Sequence, residues 1–327
     1  MPAARSRMPT VSTRTRRTLA PGEIPRRPFG RTGATVSALG MGGYHLGLVG
    51  TEREATSLVH AGIDAGIDFF DNAWEYHDGK SEERMGQALA GRRGEVFLMS
   101  KLCTHGRDAK TAMRQLDDSL RRLKTDYLDL WQIHEVVYHN DPERHFMKGG
   151  AVEALERAKR EGKVRFVGFT GHKSPALHLR MLSYDFPFDS CQMPLNCFDA
   201  TFESFEQQVL PEVNRRGIAA IGMKSLGGEG LPVKRKAVTP QEALRYAMSL
   251  DVATTVSGMD SMRVLRQNMK VAEAFDRMTG AEMQALRTRC ADAAADGRFE
   301  LYKTTAKHEG PIGRRLHGFP SPDAQPL

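Results

Sequence analysis

The sequence predicts an α/β protein built as a closed (β/α)8 TIM barrel, and three observations carry that prediction. Eight short apolar, β-branched runs alternate with eight longer stretches of helical periodicity. The alternation fills one unbroken run of about 240 residues, the usual span of such a barrel. The first run leads into Met41-Gly42-Gly43-Tyr44-His45-Leu46-Gly47, which lacks the G-x-G-x-x-G turn that a doubly wound dinucleotide-binding sheet carries there.

Strands are expected at 36–41, 67–71, 96–101, 128–134, 164–170, 188–192, 218–223 and 253–258. Helices are expected at 52–65, 81–89, 110–123, 152–161, 175–182, 202–215, 239–249 and 261–275. Strands joined by crossovers of a dozen or more residues run parallel. Ser81, followed by Arg84, and Thr239, followed by Pro240 and Glu242, read as helix starts, with a side-chain acceptor at the cap and proline where no N–H is needed. Gly66, Gly162 and Gly217 stand where helices should stop. Long loops follow the fourth strand (135–149) and the seventh (226–238). The barrel domain is placed at 28–295, between a leader of residues 1–27 and a tail of residues 296–327.

The 327 residues carry a formal charge of +7, a balance that can signal a nucleic-acid partner. Residues 1–27, however, hold seven arginines (Arg5, Arg7, Arg14, Arg16, Arg17, Arg26 and Arg27) against one acid, Glu23, and so account for six of those seven charges. The rest is nearly neutral, so no nucleic-acid partner is expected. The leader is rich in Ser, Thr and Pro and too poor in apolar residues to fold, which predicts a disordered basic arm. Arg16 and Arg17 form a twin-arginine pair, but no hydrophobic stretch follows them, which argues against export. No apolar run approaches the ~18 residues of a membrane span. A cytoplasmic protein without a membrane partner is the expectation.

Cys103, Cys191, Cys197 and Cys290 form no C-x-x-C pair, and the 11 histidines form no H-E-x-x-H or similar pair. Reduced, buried thiols and no bound metal are expected. The tail's Lys303, Lys307, Arg314 and Arg315 read as a solvated surface.

Barrel chemistry collects at the carboxyl ends of the strands. There the second strand ends in Asp71-Asn72-Ala73-Trp74-Glu75-Tyr76, the third in Ser100-Lys101 and the fourth in Gln132-Ile133-His134. The four titratable groups complement one another. A nearby ammonium, Lys101, favours the phenolate form of Tyr76, and Asp71 opposes loss of the Lys101 proton. His134 can hydrogen-bond a substrate oxygen. Such a set protonates a carbonyl oxygen while hydride reaches carbon, and the hydride must come from a cofactor. Trp74, His77 and Tyr138 are further candidates for the pocket wall.

At these residues the sequence resembles the aldo-keto reductases. The resemblance continues through Leu120-Arg121-Arg122-Leu123-Lys124-Thr125-Asp126-Tyr127-Leu128-Asp129-Leu130 and Gly162-Lys163-Val164-Arg165-Phe166-Val167-Gly168, and covers about Pro28 to Phe275. It implies a barrel enzyme that uses NADPH, or less often NADH, to reduce a small aldehyde or ketone. It implies a tetrad of Asp71, Tyr76, Lys101 and His134, with Tyr76 as general acid and base.

The resemblance also implies a cofactor site. Thr170 and Gln192 match positions that hold the nicotinamide carboxamide; Gly171 stands where the family has an asparagine, so His172 is expected to substitute. Met223 occupies the place of an aromatic ring against the nicotinamide. Lys224, Ser225, Leu226 and Gly227 are expected at the pyrophosphate, and Gly43 is also expected to contact the cofactor. Gly258, Ser261, Arg263 and Asn268 fall in the adenosine-binding segment. Gly258 and Val264, with Asp260 nearby, replace the usual basic clamp on a 2′-phosphate, leaving Arg263 or Arg266 to compensate. An alternative within the same resemblance is a redox-sensing regulatory barrel with little turnover.

Overall fold

The computed structural model describes residues 22–320. A two-stranded hairpin, β1 (Arg26–Pro28) and β2 (Thr35–Ser37), precedes eight parallel strands. These are β3 (Leu39–Gly42), β4 (Phe69–Asp71), β5 (Phe97–Leu102), β6 (Leu128–Ile133), β7 (Val164–Thr170), β8 (Ser190–Pro194), β9 (Ala219–Met223) and β10 (Thr254–Gly258). Each pairs with its neighbour in chain order. The barrel closes where β10 meets β3, with Thr255 opposite Leu39 and Gly258 opposite Gly42.

Alternation along the strands builds two apolar layers. Phe69, Phe97, Met99, Leu130, Ile221 and Val256 fill the lower barrel, while Leu98, Trp131, Val167 and Cys191 face the surrounding helices. The lower mouth is plugged from the hairpin. Phe29 sits with its ring 4.8 Å from Phe97 and 6.2 Å from Phe69, and Phe97 stacks on Phe166.

The first strand differs from its expected span. Val36 belongs to the hairpin and packs inside the plug, and the barrel strand begins only at Leu39. The leader also ends earlier than expected, because Arg27 donates to Val252 O at 3.1 Å and Met248 O at 2.7 Å, fastening the hairpin to the barrel. The disorder expected of the arm otherwise concerns residues 1–21, which lie outside the described residues.

Local chemistry sets the helix ends. Thr239 caps Pro240–Ser249 in a capping box with Glu242, as expected, and Thr51 does the same for Glu52–Asp64 with Glu54. Ser81 is not a cap: the helix Lys80–Ala88 starts after Gly79, which sits at φ +92°, and the Ser81 hydroxyl donates instead to Gly43 O at 2.6 Å. The single helix expected at 202–215 is two short ones, Phe205–Gln208 and Leu210–Arg215, with Pro211 opening the second.

The described part of the tail, residues 296–320, is folded over the upper mouth. Beyond the barrel come helices Gly280–Ala294, Leu301–Thr304 and Pro311–Leu316. The expected solvated surface holds for neither Lys303 nor Arg314. Lys303 is buried and donates to Asp199 at 2.7 Å and to Glu300 at 3.0 Å, and Arg314 is buried beside Glu309 at 2.7 Å. Glu309 also receives Lys173 at 2.9 Å and the Tyr138 hydroxyl at 3.1 Å. No helix among the described residues is long and apolar enough to cross a membrane.

Candidate active site

Asp71 ends β4, Lys101 lies near the end of β5, and His134 follows β6, so inward-pointing positions of three adjacent strands meet at one height. Tyr76 comes from the turn Tyr76–Gly79 just above them. Lys101 Nζ is the hub: it donates to Asp71 Oδ1 in a short ion pair, to Asn72 O at 2.7 Å and to the Tyr76 hydroxyl at 3.4 Å. Gln192 on β8 reaches across the barrel and donates to Asp71 Oδ2 at 2.7 Å. His134 Nδ1 lies 2.5 Å from Glu75 Oε1, and its ring meets Tyr76 edge-on at 5.6 Å. All four expected tetrad residues are thus brought together.

Their electrostatics differ from expectation in one respect. Lys101 does not bring the phenol down. Burial, then the carboxylates of Asp71, Glu75 and Glu135, hold Tyr76 well above the ordinary tyrosine value. Burial also lowers Lys101, and Asp71 opposes that shift without cancelling it. His134 is lowered by burial against the pull of Glu75. Burial would raise Glu75, but His134 beside it brings the carboxyl below its usual range.

Above the tetrad opens a cavity of about 1020 Å³. Gly43, Thr170, His172, Gln192, Met223, Lys224, Ser225, Leu226 and Gly258 line it. Thr170 Oγ1, His172 Nε2 and Gln192 Oε1 are buried there without a hydrogen-bond partner. Unpaired buried polar atoms are costly, so a donor–acceptor surface aimed into a cavity fits an amide-bearing ligand. Lys224 is half-buried, and the loss of solvent around it lowers it to about 8. Gly171 cannot carry the family's asparagine, because a Cβ there would stand 2.4 Å from Val136 O.

Four expected contacts lie elsewhere. Gly227, at φ +69°, backs onto Phe299 O and Pro232 rather than the cavity. Ser261 caps the helix Met262–Glu273, Arg263 on that helix is exposed, and Asn268 is buried on Ser257 at 3.0 Å. Neither Arg263 nor Arg266 lines the cavity; both are exposed. The ring of His45 fills the space against Gly258. Of the further candidates, Trp74 and His77 line the wall and Tyr138 ties down the tail. Sequence reasoning missed Glu75, Glu135 and the roof segment 307–312. Glu75 and Glu135 directly precede Tyr76 and follow His134, a signal that was legible; the roof has no periodicity to betray it.

A polar tetrad at the carboxyl ends of a parallel barrel, beneath a cavity with unpaired buried polar groups, has the form of a barrel-enzyme active site. The chain belongs to the aldo/keto reductase family, whose model matches residues 38–242. Among curated relatives, the uncharacterized oxidoreductase YqkF of Bacillus subtilis is 27% identical over 306 residues, covering 80% of this chain and 95% of that protein. L-galactose dehydrogenase of Arabidopsis thaliana is 29% identical over 310 residues, covering 81% and 94%. An aldo-keto reductase of Bacillus halodurans in its holo form superposes with a TM-score of 0.69 at 24% identity, covering 85% of this chain and 100% of that one. A Klebsiella pneumoniae aldo/keto reductase, solved with NADP and acetate, gives 0.65 at 23% identity, covering 84% and 97%. At such identities these two likenesses speak for the fold alone.

Proposed function

We propose that the chain is an NAD(P)H-dependent reductase that converts a small aldehyde or ketone to an alcohol, with Tyr76 as the general acid. The observation that carries this reading is the chain of contacts from Gln192 through Asp71 and Lys101 to the Tyr76 hydroxyl on the cavity floor. The nicotinamide cofactor supplies the hydride, which no side chain can. Gln192 Oε1, Thr170 and His172 would hold its carboxamide, Met223 its ring, and Lys224 with the backbone of Ser225 and Leu226 its pyrophosphate.

The protein's own part is proton transfer and positioning. A phenol held above its ordinary value is fully protonated at neutral pH and ready to donate to a carbonyl oxygen. Once the proton leaves, Lys101 stabilises the phenolate, and Asp71, itself fixed by Gln192, keeps the ammonium in place. His134 turns Nδ1 to Glu75, which leaves Nε2 as the ring nitrogen for the substrate oxygen.

Titration with NADPH and then NADH, followed by quenching of Trp74 fluorescence, tests the reading. Trp131 contributes little, because it faces the helix layer. Saturable binding and steady cofactor consumption with an aldehyde panel, abolished in Tyr76→Phe, are expected. Around Gly258 the cavity is lined by His45, Asp260 and Val264 with no lysine or arginine, so the two cofactors should bind within about tenfold of each other. Failure of both nucleotides to bind, checked by calorimetry, overturns the proposal; binding without turnover leaves the redox-sensing barrel.

A further inference from the structure

We infer that Cys103, His105 and Glu135 form a binding site for a divalent cation of the zinc class, set beside the tetrad beneath the roof of the cavity. The ligand atoms of the three residues lie within 4.8 Å of one another, and all three residues are buried. Cys103 Sγ and His105 Nε2 are 3.8 Å apart. Tetrahedral zinc, with bonds of roughly 2.3 Å to sulfur and 2.0 Å to nitrogen, sets such ligands roughly 3.5 Å apart, so a small inward adjustment seats the ion. Thiolate, imidazole and carboxylate together are the donor set of a zinc site rather than of calcium or magnesium.

Two further observations point the same way. His105 turns its other nitrogen, Nδ1, to the Asp141 carboxylate at 3.2 and 3.3 Å, and Asp141 is itself fixed by the backbone N–H groups of Val137 at 3.1 Å and Tyr138 at 2.8 Å. A metal-binding histidine is held in this way, its second N–H on an oriented carboxylate and its bare nitrogen toward the ion. Beside Glu135, whose two carboxylate oxygens share the Gly310 N–H at 2.8 and 2.9 Å, the Oε2 atom of Glu75 is buried with no hydrogen-bond partner, and a Cβ on Gly310 would lie 2.5 Å from Glu135 Oε2 and 3.1 Å from Glu75 Oε2. One backbone N–H offsets only part of the charge of two neighbouring buried carboxylates, and a cation or a proton between them offsets the rest. Three protein ligands leave a fourth position, on the Glu75 side, for water.

Binding is a simple exchange: the Cys103 thiol loses its proton to solvent as the sulfur–metal bond forms, and His105 binds neutral through Nε2. Affinity therefore rises with pH. A competing triad, His105, Asp141 and His317, shares the imidazole but makes Asp141 a ligand instead of the group that orients one. The inference is independent of the reductase reading.

The untagged full-length chain, stripped with a chelator and dialysed against zinc sulfate, should retain about one zinc per chain by elemental analysis. Cobalt in place of zinc should give a near-ultraviolet thiolate-to-metal charge-transfer band, a signature that needs no variant. Cys103→Ser should abolish the band and weaken zinc binding by at least about 100-fold, Asp141→Asn by about 10- to 100-fold, and His317→Ala should leave both unchanged. Uptake far below one equivalent, a cobalt spectrum without the thiolate band, or zinc lost from His317→Ala but kept by Cys103→Ser each overturns the site.

Discussion

The two mouths of the barrel are built from the same eight strands and to opposite ends. At the lower mouth Phe29, Phe69, Phe97 and Phe166 close the interior with aromatic rings. At the upper mouth, two to four residues further along the same inward faces of those strands, stand Asp71, Lys101 and Thr170, with Gln192 on β8 at the same end, buried and in part unpaired. The comparison teaches that stability and chemistry are segregated by strand direction: one end is paid in apolar burial, and the other holds polar groups at some cost for a ligand to satisfy.

Substitutions at each end should therefore separate activity from stability. The largest effect is expected for Tyr76→Phe, which removes the donated proton and should cut kcat by about 10²- to 10⁴-fold while moving the urea midpoint little. Steady-state kinetics beside urea unfolding checks both halves. Phe29→Ala should do the reverse, costing about 3–5 kcal/mol of stability through the cavity left in the plug, with kcat per folded molecule unchanged. A kcat that fell in step with stability would show that the two mouths are coupled.

Acid should weaken the molecule from its polar side. Burial lowers His145 to about 3 and His178 to about 4, so both stay neutral in the folded chain. The unfolded chain takes up those protons below about pH 6.5, so their contribution is intact above that pH and is lost as pH falls toward 4. Each histidine should remove up to about 1.4 kcal/mol per pH unit in that window. Urea midpoints measured from pH 7 to 5 in wild type and in His178→Gln should show a shallower slope for the variant. The smallest effect expected is on cofactor affinity. Lys224 carries its charge below about pH 8 and loses it above, so dissociation constants for NADPH should rise by a few fold between pH 7 and 9, and Lys224→Met should flatten that rise.

Much of this was legible in the sequence because barrels repeat themselves. Strand ends gather on one rim of a barrel, so Asp71, Lys101 and His134 could be placed together before any coordinates, while Gln192 came from the family resemblance. What was not legible lacked a repeat. Val36 reads as barrel strand because burial in a hairpin plug and burial in a barrel leave the same apolar signature. Lys303 reads as solvent-facing because its partners, Asp199 and Glu300, are joined to it only by the fold. Local spacing could not reveal Cys103, His105 and Glu135 as a group, since they come from the ends of two different strands. Tyr76 was placed correctly and its electrostatics were not, because the phenol's neighbours include Glu135, a residue no local motif attaches to it.

The roof has a consequence for how the molecule is made. Residues 307–312, which complete the cavity wall, follow the last barrel strand by about fifty positions, so a ribosome adding roughly 5–20 residues per second finishes the strands several seconds before it finishes the roof. During that interval the growing polypeptide holds all eight strands but not the segment that shelters Glu135 and receives Lys173. Synthesis thus follows the same order as the architecture, with the aromatic end supplied first and the reactive end sealed last.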